Sequence, residues 1–487
     1  MRLAPRPRSS RSAALPRLLA GLALLLATGA PAVAAAWPTA PTRPALAEPA
    51  PAATTADASV SAPATAPAEP APAAAPAETT AAEPHAEPAP GKPVPTRSDD
   101  TGDAEPAKPV HRPHPGESKD VVKEELEEEA FAEVNFHGAM EAYYAWNFND
   151  PSNNITNWRW YDHRHNLVGL QGLWFVPDYK IGPVSGHFQL QLGVLAELFW
   201  YSERSLEEDL LWRLLQEATM EWKTGLGGLS IEGGIFNVPF GPEWNLAFRN
   251  WNWSTSNLFA LMPYQVTGFR ANYDFGRGFI ARLGIYNGWD RIVRDNNKSK
   301  AMMASLEWTD PNDEETYVFF NYMMGNERDL GDDRGRAPRH TFDLYAQWHV
   351  ARPLFIRGWT FSGFEKRQAA VDGWLGLAGF VRVEPLEWFA VTGRGDYVYT
   401  KSSTENLFHT DVLADPNTST ALGSGTLTLD FRPHDNVLFR LEGRYDTANF
   451  PLFYRGQVPL ADPADPQSYV TTAGSQATVL AGMTTFF

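Results

Sequence analysis

From about residue 132 onward, apolar side chains alternate with polar, charged or glycine residues in segments of about ten residues. The segment 436–446 shows the pattern clearly. Its alternate positions carry one apolar set and one charged set: Val437, Phe439, Leu441 and Tyr445 against Arg440, Glu442, Arg444 and Asp446. A period of two places successive side chains on opposite faces of a β-strand. The pattern therefore predicts strands with one apolar face and one polar face.

The alternation and the turn signals predict sixteen strands. They are 132–147, 164–177, 185–200, 215–223, 229–236, 264–275, 278–287, 300–309, 315–325, 340–350, 354–363, 371–382, 388–399, 420–431, 436–446 and 475–487. Connections after even-numbered strands are short, as at 276–277, and those after odd-numbered strands are mostly long, as at 237–263. Short turns, long loops and an even strand count are typical of outer-membrane barrels, and sixteen strands leave room for an aqueous channel.

The first 35 residues predict export from the cytoplasm. An arginine-rich start is followed by the apolar run Leu18–Ala27 and by Ala32-Val33-Ala34, a signal-peptidase pattern. A membrane anchor would need about 20 apolar residues, so we interpret 1–35 as a cleaved signal peptide.

The strands of a water-soluble β-sandwich would also alternate apolar and polar side chains, with the apolar face inward. Export, charges and glycines on the polar face, and the alternating loop lengths favour a barrel with its apolar face in lipid.

Between the signal peptide and the barrel the composition changes twice. Residues 36–119 are dominated by Pro, Ala, Glu and Thr, and such a segment has too little apolar surface to fold. We predict a disordered Pro/Ala-rich periplasmic linker there, a spacer or a tether toward the cell wall. Residues 120–131 predict a short acidic helix. The fold class is thus all-β, a transmembrane antiparallel β-barrel of about 16 strands over 132–487, preceded by a disordered Pro/Ala-rich segment.

Composition agrees with this prediction. Aromatic residues make up 13% of the chain although the mean hydropathy is −0.34, as expected where only every second strand residue meets lipid. The absence of cysteine excludes disulfides and thiolate chemistry, and the net charge of −17 argues against nucleic acid as a partner.

Two stretches carry a family resemblance. One is Gly138–Pro151, continued at His165-Asn166, and the other is Gly233–Glu243, followed by Thr267-Gly268. They resemble the beta-barrel porin family of type 2, a porin-like outer-membrane family in which a strand ends in a Pro-Phe-Gly-x-Glu turn and a Thr-Gly begins the next. The resemblance implies a barrel and a porin-like role. It implies no catalytic residues and no particular substrate, and the long Pro/Ala-rich segment lies outside it.

The polar faces of the strands supply the candidate lumen charges. Extending the alternation along each strand gives Glu197, Glu232, Arg270, Arg282, Glu307, Asp343, Arg394, Asp396, Asp430, Arg440, Glu442 and Arg444. Rings of charge can set ion preference in a narrow pore. The same charges could instead pair across strands and brace the wall, and both interpretations stay open.

The loop 237–263 is the candidate constriction, because third loops of general porins often fold into the barrel. Folding inward would place Glu243, Arg249 and several of Trp244, Trp251 and Trp253 at the narrow point. Alternatively, the tryptophans belong to the aromatic girdle at the membrane interface.

Catalytic and metal chemistry have weak support in the sequence. His163 and His165 are two residues apart without a fixed third ligand, and a metal is not expected. No serine pairs clearly with His349, His409 or His434, as a lipase would require. We predict neither catalysis nor a cofactor.

The leading interpretation is a passive channel for small hydrophilic solutes or ions, and the alternative is a plugged barrel that anchors the Pro/Ala-rich arm. The predicted partners are outer-membrane lipid, the permeating solutes, the cell wall through the linker, and the barrel-assembly machinery. The last follows from the terminal Phe487, although Thr485 stands where a large apolar residue is usual.

Deleting 36–119 should leave barrel folding unchanged, because this segment contributes no apolar area to a core. Retained heat-dependent gel mobility of the truncated barrel in detergent would agree. Failure of that barrel to fold would contradict a spacer.

Overall fold

The computed structural model describes residues 133–194, 196, 210–327, 338–366, 371–401, 419–465 and 468–487. Sixteen antiparallel strands form a closed barrel in which each strand pairs with its neighbours along the chain and β1 pairs with β16. The predicted fold class and strand number are confirmed. The predicted signal peptide, linker and acidic helix lie outside the described residues.

Strand bounds follow the alternating pattern closely. They are β1 Glu133–Asn147, β2 Leu167–Ile181, β3 Val184–Leu192, β4 Leu215–Lys223, β5 Leu229–Asn237, β6 Gln265–Gly276, β7 Phe279–Tyr286, β8 Ala301–Asp310, β9 Asp313–Asn326, β10 Pro338–Ala351, β11 Leu354–Lys366, β12 Val371–Leu386, β13 Phe389–Lys401, β14 Thr420–His434, β15 Val437–Ala448 and β16 Ser475–Phe486. The helix α1 (Leu210–Leu214) precedes β4. Among the described residues, no helix has the length and apolar character needed to cross a bilayer.

The third strand ends earlier than predicted, at Leu192 instead of residue 200. Gly193 follows it with a φ of 102°, and a Cβ there would lie 2.9 Å from the Gln171 carbonyl oxygen. This backbone turns the chain away from the extended conformation.

Side chains on the two faces of each strand meet different surroundings. On β15, Phe439, Leu441 and Tyr445 are 41%, 51% and 54% exposed, whereas Arg440 and Glu442 between them are 2% and 3% exposed. The apolar face therefore points out of the barrel and the charged face points in, the reverse of a water-soluble sandwich.

Closure of the barrel satisfies the backbone of the first and last strands. The β1–β16 register runs from Ala139 opposite Phe486 to Asn147 opposite Thr478. Gly138 and Phe487 exchange two further backbone hydrogen bonds of 3.1 and 3.0 Å. Because the bilayer core offers no water to unpaired N–H and C=O groups, a sheet is stable there only when its strands close into a complete ladder.

Short turns join the strands at one end of the barrel. Between β6 and β7 the residues Gly276, Arg277 and Gly278 all have positive φ, and a Cβ on Gly278 would lie 1.8 Å from the Thr309 carbonyl oxygen. Glycine is required at that position. The connections at the opposite end are longer, as at 148–166, 238–264 and 449–474.

Because the chain lacks cysteine, single cysteines can report the orientation of the barrel. Gln457→Cys in the last long connection should react on intact cells with a maleimide too bulky to pass the barrel. Asn312→Cys in the β8–β9 turn should react only after lysis, since short turns face the periplasm. Labelling of Asn312→Cys on intact cells would reverse the topology.

Candidate functional site: a loop inside the barrel

The connection between β5 and β6, residues 238–264, lies inside the barrel, and we call it L3. The backbone N–H of Val238 donates to the Tyr264 carbonyl at 3.0 Å and closes its base. Gly241 has a φ of 68°, and a Cβ there would lie 2.4 Å from the Trp359 ring, so only glycine fits this turn. Two short 3-10 helices follow, Ala247–Arg249 and Asn257–Leu261.

Carboxylates of the wall accept the backbone N–H groups of L3. The acceptor and donor pairs are Asp343 with Gly241 (3.2 Å), Glu141 with Ala247 and Phe248 (3.1 and 2.8 Å), Glu442 with Trp253 and Ser254 (2.6 and 3.0 Å), and Asp396 with Asn257 (3.0 Å). An irregular segment has no ladder partners, and a buried N–H without an acceptor is costly. These charge-assisted bonds replace the missing partners.

Arginines of the wall donate to the carbonyl groups of the same loop. Their acceptors are Pro242 for Arg357 (3.4 Å), Ala247, Asn250 and Asn252 for Arg440, Ser254 and Thr255 for Arg394 (2.5 and 3.3 Å), and Thr255 for Arg444 (2.6 Å). A guanidinium carries five N–H donors in a fixed plane, so one arginine can serve several carbonyls.

The charges beneath L3 also neutralise one another. Asp430 bridges Arg382 and Arg440 at 2.9 and 2.7 Å, and Arg444 pairs with Asp446 at 2.7 Å. The side chains of these five residues are at most 3% exposed. Removing one member of a buried pair leaves the other uncompensated, so this network fixes the loop strongly.

Apolar side chains of L3 pack against glycine residues of the wall, where no wall side chain occupies the space. Trp253 is 1% exposed and covers Gly482, where a Cβ would lie 2.3 Å from its ring. Leu258 covers Gly376 in the same way, at 2.5 Å. The Arg357 guanidinium lies 3.9 Å from the centroid of the Trp251 ring. These two tryptophans therefore pack inside the barrel and not in a girdle at the membrane interface.

The predicted constriction residues have different surroundings. Glu243 is 4% exposed and accepts from the Ser256 N–H and hydroxyl and from Arg394, at 2.9, 2.5 and 2.9 Å. It joins the two limbs of L3 to the wall, and this placement differs from the expectation that its carboxylate meets the passing ions. Arg249 is exposed, and its guanidinium lies 4.9 Å from the Trp244 ring centroid.

The predicted wall charges fall into two groups. Those beneath L3 are Asp343, Arg394, Asp396, Asp430, Arg440, Glu442 and Arg444. On β5–β8, Arg270 pairs with Glu232 at 2.7 Å and Arg282 with Glu307 at 2.5 Å, apart from L3. Their side chains are 12–21% exposed, against 0–1% for Arg394, Arg440 and Arg444. Glu197 lies outside the described residues.

The list of candidate lumen charges omits several inward groups, namely Glu141, Arg357, Arg382, Asp178, His187 and Glu217. All lie on predicted strands except Asp178, which lies one residue beyond the predicted end of β2. On β1, tyrosine and alanine occupy both faces around Glu141, so alternation alone does not separate the faces there. Across the described residues, no group of three or more His, Asp or Glu side chains is arranged to hold a metal ion.

Asp290, in the connection between β7 and β8, fixes the end of L3 by accepting from the backbone N–H groups of Tyr264 and Gln265 at 2.6 and 3.1 Å. Burial raises the pKa of Asp290 to about 7, and these two hydrogen bonds offset the effect only in part. A carboxyl whose pKa is higher in the folded than in the unfolded protein loses stability on ionisation. The loss grows as the pH rises from about 4 to about 7.

Asp290→Asn keeps an oxygen acceptor and cannot ionise. The thermal unfolding temperature in detergent should therefore rise relative to the unchanged protein by about 2 °C or more at pH 8, and by less at pH 5. A difference that is equal at both pH values would show that Asp290 does not titrate in this range.

Comparison with known proteins gives one family match. A family model described as "Putative beta-barrel porin-2, OmpL-like" matches residues 133–487, which is the whole barrel. No curated protein sequence matches the chain.

Three solved structures with a similar fold share little sequence identity with this chain. OmpT, an outer membrane protein of Vibrio cholerae, is 9% identical with a TM-score of 0.47, over 73% of this chain and 98% of that chain. An anion-selective porin from Comamonas acidovorans is 12% identical with a TM-score of 0.46, over 73% and 100%. OprB of Pseudomonas putida is 10% identical with a TM-score of 0.41, over 75% and 96%.

The family match spans the sixteen strands and the loop inside them, and on this ground the chain belongs to the beta-barrel porin-2, OmpL-like family of porin-like outer-membrane barrels.

Proposed function

We propose that the protein is a passive diffusion channel for small hydrophilic solutes or ions across the outer membrane. One observation carries this proposal: L3 covers only part of the inward wall. Its contacts run from β9 to β16 and on to β1, as with Asn321 on β9, Phe486 on β16 and Glu141 on β1. Inward charged side chains on β2–β8, such as Asp178, Arg270 and Arg282, keep contact with water and border an aqueous passage.

Exposure of the inward charges supports this division. The paired charged side chains of β5–β8 are 12–21% exposed, whereas Arg394 beneath L3 is 0% exposed. In a barrel without L3, water would reach the inward charges on both sides of the lumen equally. The proposed role is transport and not catalysis.

The surroundings of the channel are part of the same proposal. The outward apolar face contacts outer-membrane lipid, and the C-terminal strand is the segment that the barrel-assembly machinery recognises. The linker 36–119 lies in the periplasm and reaches toward the cell wall.

A plugged barrel that anchors this linker is the second candidate. The dense network between L3 and the wall favours it, because a loop held by so many buried charges does not open readily. The two candidates differ in conductance.

The purified protein should give discrete conductance steps in planar lipid bilayers. Deleting 244–258 should enlarge the single-channel conductance severalfold, since it removes the part of L3 that crosses the interior. Deleting 455–465, in the exposed last connection, is the matched control and should change conductance little.

Heat-dependent gel mobility must show that each deleted barrel is folded. A folded, unchanged protein without conductance steps would favour the plugged anchor. If removal of 244–258 left the conductance as it was, L3 would not restrict the passage.

A further inference from the structure

Three neighbouring strands bring ionisable side chains together on the part of the wall that L3 leaves uncovered. The imidazole Nδ1 of His187 on β3 lies 2.5 Å from an Asp178 oxygen on β2. Its Nε2 lies 3.5 Å from a Glu217 oxygen on β4. The side chains of His187, Asp178 and Glu217 are 34%, 33% and 16% exposed, so water reaches this cluster.

The position of the ring makes the charge of the cluster depend on one proton. A neutral imidazole has one N–H and can donate to only one of the two carboxylates, whereas an imidazolium can donate to both. The three groups then carry a net charge of about −2 or about −1. An unperturbed histidine changes its charge near neutral pH, where carboxylates stay ionised.

Partial desolvation lowers the pKa of the Arg249 guanidinium on L3, and the nearby negative charges of Glu217 and Asp178 act against that effect. The Trp244 ring supports the guanidinium from within the loop. A fixed positive charge on the loop thus opposes a cluster of variable negative charge on the wall.

A cavity of about 460 Å³ lies beside His187 at the end of the barrel with the short turns. Its lining extends the charged surface to five strands. The ionisable groups around the imidazole are His137 and Glu133 on β1, Asp178 and Lys180 on β2, Glu217 and Glu221 on β4, Glu232 on β5 and Arg249 of L3. Most are acidic, so a permeating cation is favoured over an anion.

We propose that ions pass between Arg249 and the Asp178–His187–Glu217 cluster, and that protonation of His187 shifts the ion preference away from cations. This inference rests on the proposed channel function and names the residues that select. Glu243 of L3, whose carboxylate is buried against Arg394, has no direct part in selection.

Reversal potentials under a KCl gradient test this inference, with measurements at about pH 5.5 and pH 8.5. The preference of the unchanged protein for cations should fall by about two- to threefold on acidification, since a unit charge a few ångströms away in water acts with an energy near RT. His187→Gln should abolish that change. His187→Lys should show the low preference at both pH values.

His349→Gln is the matched control. This histidine also faces inward and also pairs with an aspartate, Asp313 at 3.2 Å, but it lies on β10 and stacks on Phe355. The variant should keep the pH dependence of the unchanged protein. Arg249→Gln should raise the preference for cations at both pH values, and Asp178→Asn should lower it at the higher pH.

The outcomes distinguish failure of this inference from failure of the proposed channel function. An unchanged protein without conductance would overturn the proposed channel. Conductance with an intact pH dependence in His187→Gln, or with none in His349→Gln, would overturn the role of His187 alone. Unaltered preference in the folded Arg249→Gln and Asp178→Asn variants would place the ion path elsewhere.

Discussion

The interior of this barrel depends on hydrogen bonds between an irregular loop and charged side chains of the wall. L3 has no ladder for most of its N–H and C=O groups, and they are covered by protein. Asp343, Glu141, Glu442 and Asp396 accept from its N–H groups, and wall arginines such as Arg440 donate to its carbonyls. Charged side chains of the wall therefore supply the hydrogen-bond partners that a neighbouring strand would supply in a sheet.

This arrangement divides the interior into two parts with different properties. Beneath L3, opposite charges are dehydrated and matched, and they hold a fixed structure. Along β2–β8 the charges keep contact with water, and among the described residues the carboxylates Asp178 and Glu217 form no salt bridge with an arginine. The first part shapes the passage, and the second supplies the field that a permeating ion experiences.

The outside of the barrel obeys a simpler constraint. Lipid accepts no hydrogen bonds, so the sixteen strands close on themselves and present apolar side chains outward. Because side chains alternate strictly, each outward apolar residue fixes the inward position of its neighbours. The inward charges that serve L3 are thus a consequence of the same two-residue period that fits the barrel to the membrane.

The sequence by itself determined the strand number, the two faces of each strand and the alternation of short and long connections, because these are local properties of a period of two. It also indicated the inward charges, such as Arg394 and Arg440. Only the tertiary structure decided what each charge does. The Glu243 carboxylate of L3 is buried against Arg394 of the wall, whereas Arg249 of L3 is exposed and lies near the charges of Asp178 and Glu217. Both depend on the path of L3 through the barrel, which is set by contacts between residues far apart in the chain, and no local pattern records that path.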